Sequence, residues 1–219
     1  LYKGGAVLSE CQWFHKQRAR ATGIITKGHE HMHAESKYLD SLSRHHADFV
    51  KDQCHKISRS IVNYCINHQA GTIVLGENRL WKQNSSMDAQ NNQSFVSMPI
   101  GLLKQLIIYK AADAGIAVIM QEESYTSKAD ITAMDYIPAY GVDDDKASFS
   151  GLRIKRGLYR CINGLIINAD CNGAANIMRK ALPDAWNGMA DFSFLASPEV
   201  CGFHELNHQC NPVKGIVAA

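Results

Sequence analysis

The stretch Thr72-Ile73-Val74-Leu75-Gly76, followed at once by Glu77, is the most strand-like part of this 219-residue chain. It is short, apolar and rich in β-branched residues, as is typical of a strand buried in a sheet. A second apolar run, residues 116–120, follows after one helical segment that Pro99 opens and Gly115 ends. Strand, helix and strand in this order predict a parallel pair of strands, and therefore an α/β fold.

The helix between the two strands is amphipathic. Its apolar face is expected to consist of Ile100, Leu103, Ile107 and Ala111. Lys104 and Lys110 are among its polar positions.

The sequence before the first strand predicts a helical hairpin over about residues 9–68. Residues 5–8 suggest the end of a strand, a polar helix follows from about Ser9 to Thr22, and a long helix is expected from about Ala34 to His68. The turn between the helices contains His29, His31 and His33. Their alternation in a glycine-flanked turn supplies no closed set of metal ligands, so we expect a solvated loop.

The sequence after the second strand is less regular. A polar loop is expected over residues 78–97 and a long irregular stretch over 121–151. The basic residues 153–160 lead to a hairpin that turns at Asn163-Gly164, and Asp170 precedes a helix that starts near Asn172.

Composition excludes several classes of protein. The chain is 46% hydrophobic and 20% charged with a net charge of +2, which is ordinary for a globular protein and argues against a uniformly basic chromatin-type protein. The sequence contains no run of about 18 apolar residues, which a membrane-spanning helix would need. Seven scattered cysteines suit reduced thiols better than a disulfide framework.

Glu77 and Asp170 are the sharpest chemical features. Each carboxylate follows a predicted strand, where open α/β sheets place their ligands. Two such acids could together hold divalent metal for phosphodiester cleavage. Taken singly, Glu77 could equally cap a helix or lie in a solvated loop, and Asp170 could serve as a helix cap.

Glu77 and Asp170 belong to a set of short sequence segments that occur in a fixed order along the chain. They are Lys56-Ile57-Ser58-Arg59, Val74-Leu75-Gly76-Glu77-Asn78 with Trp81-Lys82-Gln83, Asn91–Val96, Tyr109-Lys110-Ala111, Glu122–Ala129, Phe149–Tyr159 and Ile167–Ile177. Together they resemble the TnpB or OrfB-type proteins of bacterial insertion sequences from about residue 5 to residue 183.

The resemblance implies an RNase H-like (RuvC-like) α/β fold with a mixed sheet, into which the helical hairpin is inserted. Family members of this kind are RNA-guided, metal-dependent DNA endonucleases that were long labelled transposases. By motif, Glu77 and Asp170 are the second and third of three acids that bind Mg²⁺ or Mn²⁺. The motif of the first acid lies upstream of anything in this sequence, so we expect the first strand to be missing.

The resemblance also implies a domain organisation and partners. Residues 1–183 would form the RuvC-like nuclease domain, and residues 184–219 a partly loose carboxy-terminal tail. DNA and a guide RNA are the expected partners. The expected location is the bacterial cytoplasm, in association with the nucleoid when DNA is bound. The oligomeric state is left open.

Many relatives carry a zinc ribbon before the last acid. Here only Cys161 lies in that interval, with Ala129-Asp130 where a cysteine often follows, so we expect no zinc ribbon. Zinc would accept the side chains of Cys201, His204, His208 and Cys210, which makes them a weak second candidate in the tail.

Basic residues are the expected contacts to nucleic acid: Lys56, Arg59, Lys82, Arg153, Lys155, Arg156 and Arg160. The alternative for the hairpin residues is a solvated strand face. Asn172 is expected to support the acidic site. Trp81 would either contact substrate or serve as a packing residue. Residues 41–47 are less basic than in the family, which weakens that surface.

Two functional hypotheses follow. The first is the RuvC-like part of a transposon-encoded nuclease, in which this chain lacks cleavage activity because one acid of three is absent. The second is a nuclease-inactive DNA- or RNA-binding protein, or a decayed transposase remnant. The sequence leaves open whether the chain is an enzyme.

Overall fold

A computed structural model describes residues 1–28, 35–77 and 99–202. In chain order the elements are α1 (Gly5–Ile25), α2 (Lys37–Asn67), β1 (Thr72–Glu77), α3 (Ile100–Asp113), β2 (Ala117–Glu122), β3 (Leu152–Lys155), β4 (Leu158–Arg160), β5 (Ile166–Asn168) and α4 (Ala169–Ala181). Short 3-10 turns cover Asp144–Lys146 and Ser193–Leu195. The α/β class predicted from the sequence is confirmed, and the RNase H-like arrangement stays a prediction.

The chain divides into two compact units. The described residues of the first unit are 1, 70–77 and 115–200, and those of the second are 2–28, 35–69, 99–114 and 201–202. The boundary that the sequence places after residue 183 stays a prediction.

The first unit contains two small sheets. Strands β1 and β2 pair in parallel, from Thr72 opposite Ala117 to Glu77 opposite Glu122, as the sequence predicts. Strands β3, β4 and β5 form an antiparallel sheet in that order, with an irregularity between Arg153 and Lys155. The turn at Asn163-Gly164 joins β4 to β5, and a turn at Arg156-Gly157, which the sequence analysis missed, joins β3 to β4.

The hydrophobic core of the first unit lies between the antiparallel sheet and α4. Tyr159 and Ile167 from the sheet are fully buried there with Ala175 of α4. Phe192 and Leu195 join the same cluster, so this part of the expected tail is packed. The sequence pattern did not predict this packing, because a 3-10 turn buries single residues rather than the regular stripe of an amphipathic helix.

The second unit is helical. The strand expected at residues 5–8 is wrong, because these residues are the first turn of α1. A four-residue apolar run fits either structure by pattern alone, and here Val7, Cys11 and Phe14 form one buried helix face. Helix α2 begins after Ser36, whose hydroxyl caps it by accepting a 3.1 Å hydrogen bond from the Leu39 amide.

Lys110, one of the polar positions of α3, is buried. Its side chain is 5% exposed, and its Nζ donates to the His55 carbonyl at 2.6 Å and to Ser58 Oγ at 2.7 Å, both on α2. A buried lysine is tolerated when hydrogen bonds replace its hydration.

Across the described residues, no helix combines the length and the apolar character needed to cross a membrane.

Candidate functional site

Glu77 is the last residue of β1 and is half-buried. Because β1 and β2 are parallel and in register, Glu77 lies opposite Glu122 at the shared carboxyl edge. The Glu123 amide extends the pairing by donating to the Glu77 carbonyl at 3.3 Å. Glu77 is therefore a strand-end acid.

Glu122, a site residue that the sequence pattern did not indicate, is bound by Lys180 of α4. Lys180 Nζ lies 2.5 Å from Glu122 Oε2, and the Ser124 amide donates to Glu122 Oε1 at 2.5 Å. Burial raises the pKa of Glu122, but the hydrogen bonds from Lys180 and Ser124 outweigh burial and lower it below its ordinary value. This ion pair fastens the last turn of α4 to the carboxyl edge of the sheet.

Gly76 allows α4 to approach β1 closely. A Cβ at this position would meet the Glu123 carboxylate and would lie 2.9 Å from Ile177 Cδ1 of α4. Any larger residue at position 76 would therefore require the Glu123 and Ile177 side chains to shift.

Asp170 lies in the first turn of α4 and is exposed. The helix is capped by Asn168, whose Oδ1 accepts from the amides of Asp170 and Cys171 at 2.9 and 3.1 Å. The capping alternative for Asp170 is therefore wrong, although an acid in a first turn still interacts favourably with the helix dipole. Asp170 and Ile177 are seven residues apart, which puts them on one helix face about 10 Å apart along the axis.

The donor chemistry of Glu77 and Asp170 suits a hard cation, because Mg²⁺ binds through one or two carboxylates together with water and phosphate oxygens. In residues 1–28, 35–77 and 99–202, no three Asp, Glu, His or Cys side chains come together closely enough to hold a metal ion. Glu77 and Asp170 therefore lie on separate elements, at the end of β1 and in the first turn of α4.

Asn172 supports a loop rather than an acid. It is fully buried, its Oδ1 accepts from the Ile131 amide at 3.3 Å, and its Nδ2 donates to the Ala129 carbonyl at 2.8 Å. Asn176, one turn later, donates to the Ala129 and Thr126 carbonyls at 2.7 and 3.0 Å. Together the two asparagines fasten the loop after β2 to α4.

The structure separates the basic residues of the hairpin. Arg160 of β4 lies opposite Leu152 and Ile166, on an exposed face. The irregularity after Arg153 puts Lys155 opposite Leu158, on the same face as Arg160, because side chains alternate along a strand. Arg153 instead lies opposite the buried Tyr159, at the sheet edge.

Lys56 and Arg59 lie on α2, in the helical unit. Lys56 forms an ion pair of 2.6 Å with Asp52, one turn earlier on the same helix, and Arg59 is half-buried. The pair with Asp52 offsets part of the positive charge that Lys56 would offer to a phosphate.

Asp130 is a buried acid for which the sequence predicted no role. It is fully buried, and its carboxylate accepts from the Ile162 amide at 2.6 Å, the Thr132 amide at 2.9 Å and the Thr132 hydroxyl at 2.8 Å. Burial raises its pKa, but these hydrogen bonds lower it below the ordinary value. The local pattern Asp-x-Thr was the available signal, because such side chains often bond nearby backbone amides.

Cys161 lies beside Asp130 in the same buried region. Burial, with the nearby Asp130 charge, raises the pKa of this thiol to about 11. Cys161 is therefore an uncharged core residue at neutral pH.

Several nominated residues lie outside the described ranges. They are Lys82, Trp81, His29, His31, His33, His204, His208 and Cys210. Cys201 is described, and it forms a parallel β-bridge with Tyr2.

Comparison with known proteins shows which family this chain is similar to. Residues 101–177 match the family described as Cas12f1-like, TNB domain. CRISPR-associated endodeoxyribonuclease Cas12f1 of Sulfoacidibacillus thermotolerans is 32% identical over 142 residues, or 64% of this chain and 29% of that protein. The chain thus spans less than a third of the length of this curated relative.

Among solved structures, a chain of a Cas12f1–sgRNA–target DNA complex is similar. It has 18% sequence identity and a TM-score of 0.49, and the match covers 78% of this chain and 42% of that chain.

Proposed function

Because this chain belongs to the TnpB/Cas12f-like family, we propose that it is the RuvC-like part of an RNA-guided DNA endonuclease associated with transposition. The observation that carries the proposal is the position of Glu77. This acid ends a parallel strand, at the sheet edge to which α4, the helix of Asp170, is fastened by Lys180 and Glu122.

In this proposal Glu77 and Asp170 are metal ligands, and Mg²⁺ or Mn²⁺ would be the ion. Bound there, the metal would stabilise charge on a phosphodiester under attack by water. Lys180 would keep the Glu122 carboxylate away from the ion, and Gly76 and Ile177 would fix the separation of strand and helix.

Guide RNA and target DNA are the proposed partners, with the exposed sheet face of Lys155 and Arg160 as one binding surface. Both side chains are exposed and lie on one face, which suits phosphates that are spaced along a strand. Arg153, Arg156, Lys56, Arg59 and Lys82 are further proposed nucleic-acid-binding residues. A cytoplasmic location, at the nucleoid when DNA is bound, belongs to the same proposal.

Nucleic-acid binding is tested with fluorescence anisotropy on labelled single- and double-stranded oligonucleotides over a range of salt concentrations. The change Lys155→Gln with Arg160→Gln should lower the salt slope by about two, because each side chain would neutralise one phosphate. Lys16→Gln with Arg18→Gln, two exposed changes on α1, is the matched control and should leave the slope unchanged. Equal slopes for both double variants would refute this surface.

Metal binding is tested with Mn²⁺ titrations of the whole chain followed by electron paramagnetic resonance. Glu77→Gln and Asp170→Asn should each weaken binding by about tenfold or more, because each removes one charged ligand. Asp113→Asn, at the exposed end of α3, is the control. Unchanged Mn²⁺ affinity in both site variants would contradict their role as ligands.

A second function, binding nucleic acid without cleavage, is favoured by the exposed face of Lys155 and Arg160, which requires no metal site. We expect the 219-residue chain to bind oligonucleotides and not to cleave them in Mg²⁺ or Mn²⁺. Robust nicking that both Glu77→Ala and Asp170→Ala abolish would overturn this expectation and support an active nuclease.

A further inference from the structure

Two aromatic rings lie together in the first unit, on loops outside its strands. Tyr125 follows β2 and Phe149 precedes β3, and their ring centroids are 6.1 Å apart with an interplanar angle of 30°. Both side chains are half-buried, so each ring keeps an exposed portion. A core pair would be sealed by neighbouring side chains, and this pair is not.

Tyr125 is held in an unusual backbone conformation. Its φ is 65°, in the left-handed region that residues other than glycine rarely adopt. Such a conformation persists only where the surroundings enforce it, and it is most frequent at sites that bind or react. Here the Tyr125 hydroxyl donates to Asp144 Oδ1 at 2.8 Å, which fixes the direction of the ring.

Positive charge lies on one side of this pair. Lys128 Nζ is 5.8 Å from the centroid of the Tyr125 ring, and Lys128 is exposed. The Lys128 carbonyl accepts from the Tyr159 hydroxyl at 2.7 Å, and Tyr159 lies directly opposite Arg153 in the antiparallel sheet. Lys128 therefore lies beside the aromatic pair, and Arg153 lies opposite Tyr159, the residue that is bonded to the Lys128 carbonyl.

Asp144 and Glu122, the two acids whose charges act on Tyr125, both have partners. Asp144 accepts the Tyr125 hydroxyl and the Gly141 amide, and it lies at the hydroxyl end of the ring rather than over its face. The hydrogen bond to Asp144 raises the pKa of Tyr125 to about 12, so the hydroxyl stays protonated as a donor. Glu122 is paired with Lys180.

We propose that Tyr125 and Phe149 form a stacking surface for an unpaired nucleobase of a single-stranded nucleic acid, whose phosphates contact Lys128 and Arg153. An aromatic face beside cationic side chains is the usual arrangement for binding single strands without reading their sequence. The proposal rests on the nucleic-acid binding proposed above, and it names the chemistry that one part of that surface recognises.

The test compares an intact single-stranded DNA oligonucleotide with one of the same length that carries abasic sites, using the unmodified whole chain. Loss of the bases keeps every phosphate, so stacking alone is removed. We expect the abasic strand to bind about tenfold to a hundredfold more weakly. A strand containing 2-aminopurine should lose fluorescence on binding, because stacking on an aromatic ring quenches it.

Substitutions of Tyr125 and Phe149 test whether these two rings cause the difference in affinity between the intact and the abasic strand. Phe149→Ala and Tyr125→Leu should reduce the difference between the intact and the abasic strand, whereas Tyr125→Phe, which keeps the ring, should preserve it. Thermal unfolding of each variant identifies any that does not fold. Parallel titrations with RNA of the same sequence show which strand occupies the surface.

The outcomes separate this inference from the proposed function. If the chain binds intact and abasic strands of both DNA and RNA equally well, with a steep salt dependence, the stacking surface is refuted while nucleic-acid binding stands. If it binds no strand at all, both proposals fail. Base-dependent binding that persists unchanged in Phe149→Ala and Tyr125→Leu would also overturn the assignment to these rings.

Discussion

Lys110 of α3 donates a 2.7 Å hydrogen bond to Ser58 Oγ of α2, and both side chains are buried. Ser58 in turn donates to the Cys54 carbonyl at 2.7 Å, and Lys110 also reaches the His55 carbonyl. The two residues belong to separate motifs in the sequence, fifty-two positions apart. In the structure they form one polar connection between two helices of the second unit.

Replacing either end of this connection should destabilise the chain. Ser58→Ala removes a partner of a buried cation and should lower the free energy of unfolding by about 1.5–3 kcal/mol. Lys110→Met should cost a comparable amount, and the double variant should cost less than the sum of the two. Urea unfolding measures all three changes.

Lys51→Met, an exposed change on α2, is the control for loss of a lysine charge, and we expect it to change stability little. Strict additivity of Ser58→Ala and Lys110→Met would contradict a direct interaction.

Gly151→Ala should destabilise the first unit. A Cβ at Gly151 would overlap the ring and hydroxyl of Tyr159. Tyr159 cannot easily move, because it is 1% exposed and its hydroxyl donates a hydrogen bond to the Lys128 carbonyl. Overpacking of this kind costs about 1–3 kcal/mol. The matched change is Gly101→Ala in α3, where a Cβ meets nothing within 4 Å and helix propensity favours alanine by up to about 1 kcal/mol. Melting temperatures that move the same way in both variants would be inconsistent with the close approach at Gly151.

Asp130→Asn should lower stability at neutral pH by about 2 kcal/mol, because the new amide nitrogen faces N–H and O–H donors that the carboxylate accepts. The pKa of Asp130 in the folded chain lies below its ordinary value of 3.8. Its contribution is therefore present above that pH and is lost as pH falls through the lower folded pKa.

Chemical unfolding of Asp130→Asn between about pH 5 and pH 3 should thus show a smaller loss of stability than the unmodified chain shows over the same interval. Asp145→Asn, on the exposed 3-10 turn, should behave like the unmodified chain. A variant as acid-sensitive as the unmodified chain would argue against this network.

His46 should make the helical unit sensitive to mild acid. Its ring stacks on Phe14 with centroids 4.1 Å apart, and its Nδ1 lies 3.6 Å from Glu10 Oε1, too far for a hydrogen bond. Burial lowers the pKa of His46 from 6.5 by more than Glu10 raises it, and His15 and His45 lower it further. The unfolded chain therefore takes up a proton first, and stability falls as pH drops below 6.5.

His46→Gln should remove part of this dependence, so that its stability falls less between about pH 7 and pH 5.5. His55→Gln, an exposed change on the same helix, serves as the comparison because its side chain contacts solvent. Should both variants keep the full slope, the slope would have to come from other groups.

The sequence was most informative where local pattern and tertiary structure agree. The β-branched run at residues 72–77, the helix opened by Pro99 and the following strand form as predicted, and the strands pair in parallel. The pattern failed at residues 5–8, because four apolar residues carry too little periodicity to separate a strand from a helix end.

The candidate site divides in the same way. Glu77 could be predicted as a site residue because an acid that directly follows an apolar run is visible in the sequence alone. Glu122 and Lys180 could not be paired from the sequence, because their ion pair joins a strand to the last turn of a helix fifty-eight residues later. Likewise, no local signal distinguishes the buried Lys110 from the lysines that face solvent.

By itself, the sequence determined the α/β class, the order of the central elements and the two acids worth testing. These depend on the spacing of apolar residues and on motif order, which are local properties of the chain. Only the tertiary structure decided which charges are neutralised by partners, which basic residues share an exposed face and which aromatic rings lie together. Those properties depend on distances between residues far apart in sequence, and the free energy of a charge or ring changes with burial and partners rather than with its position in the chain.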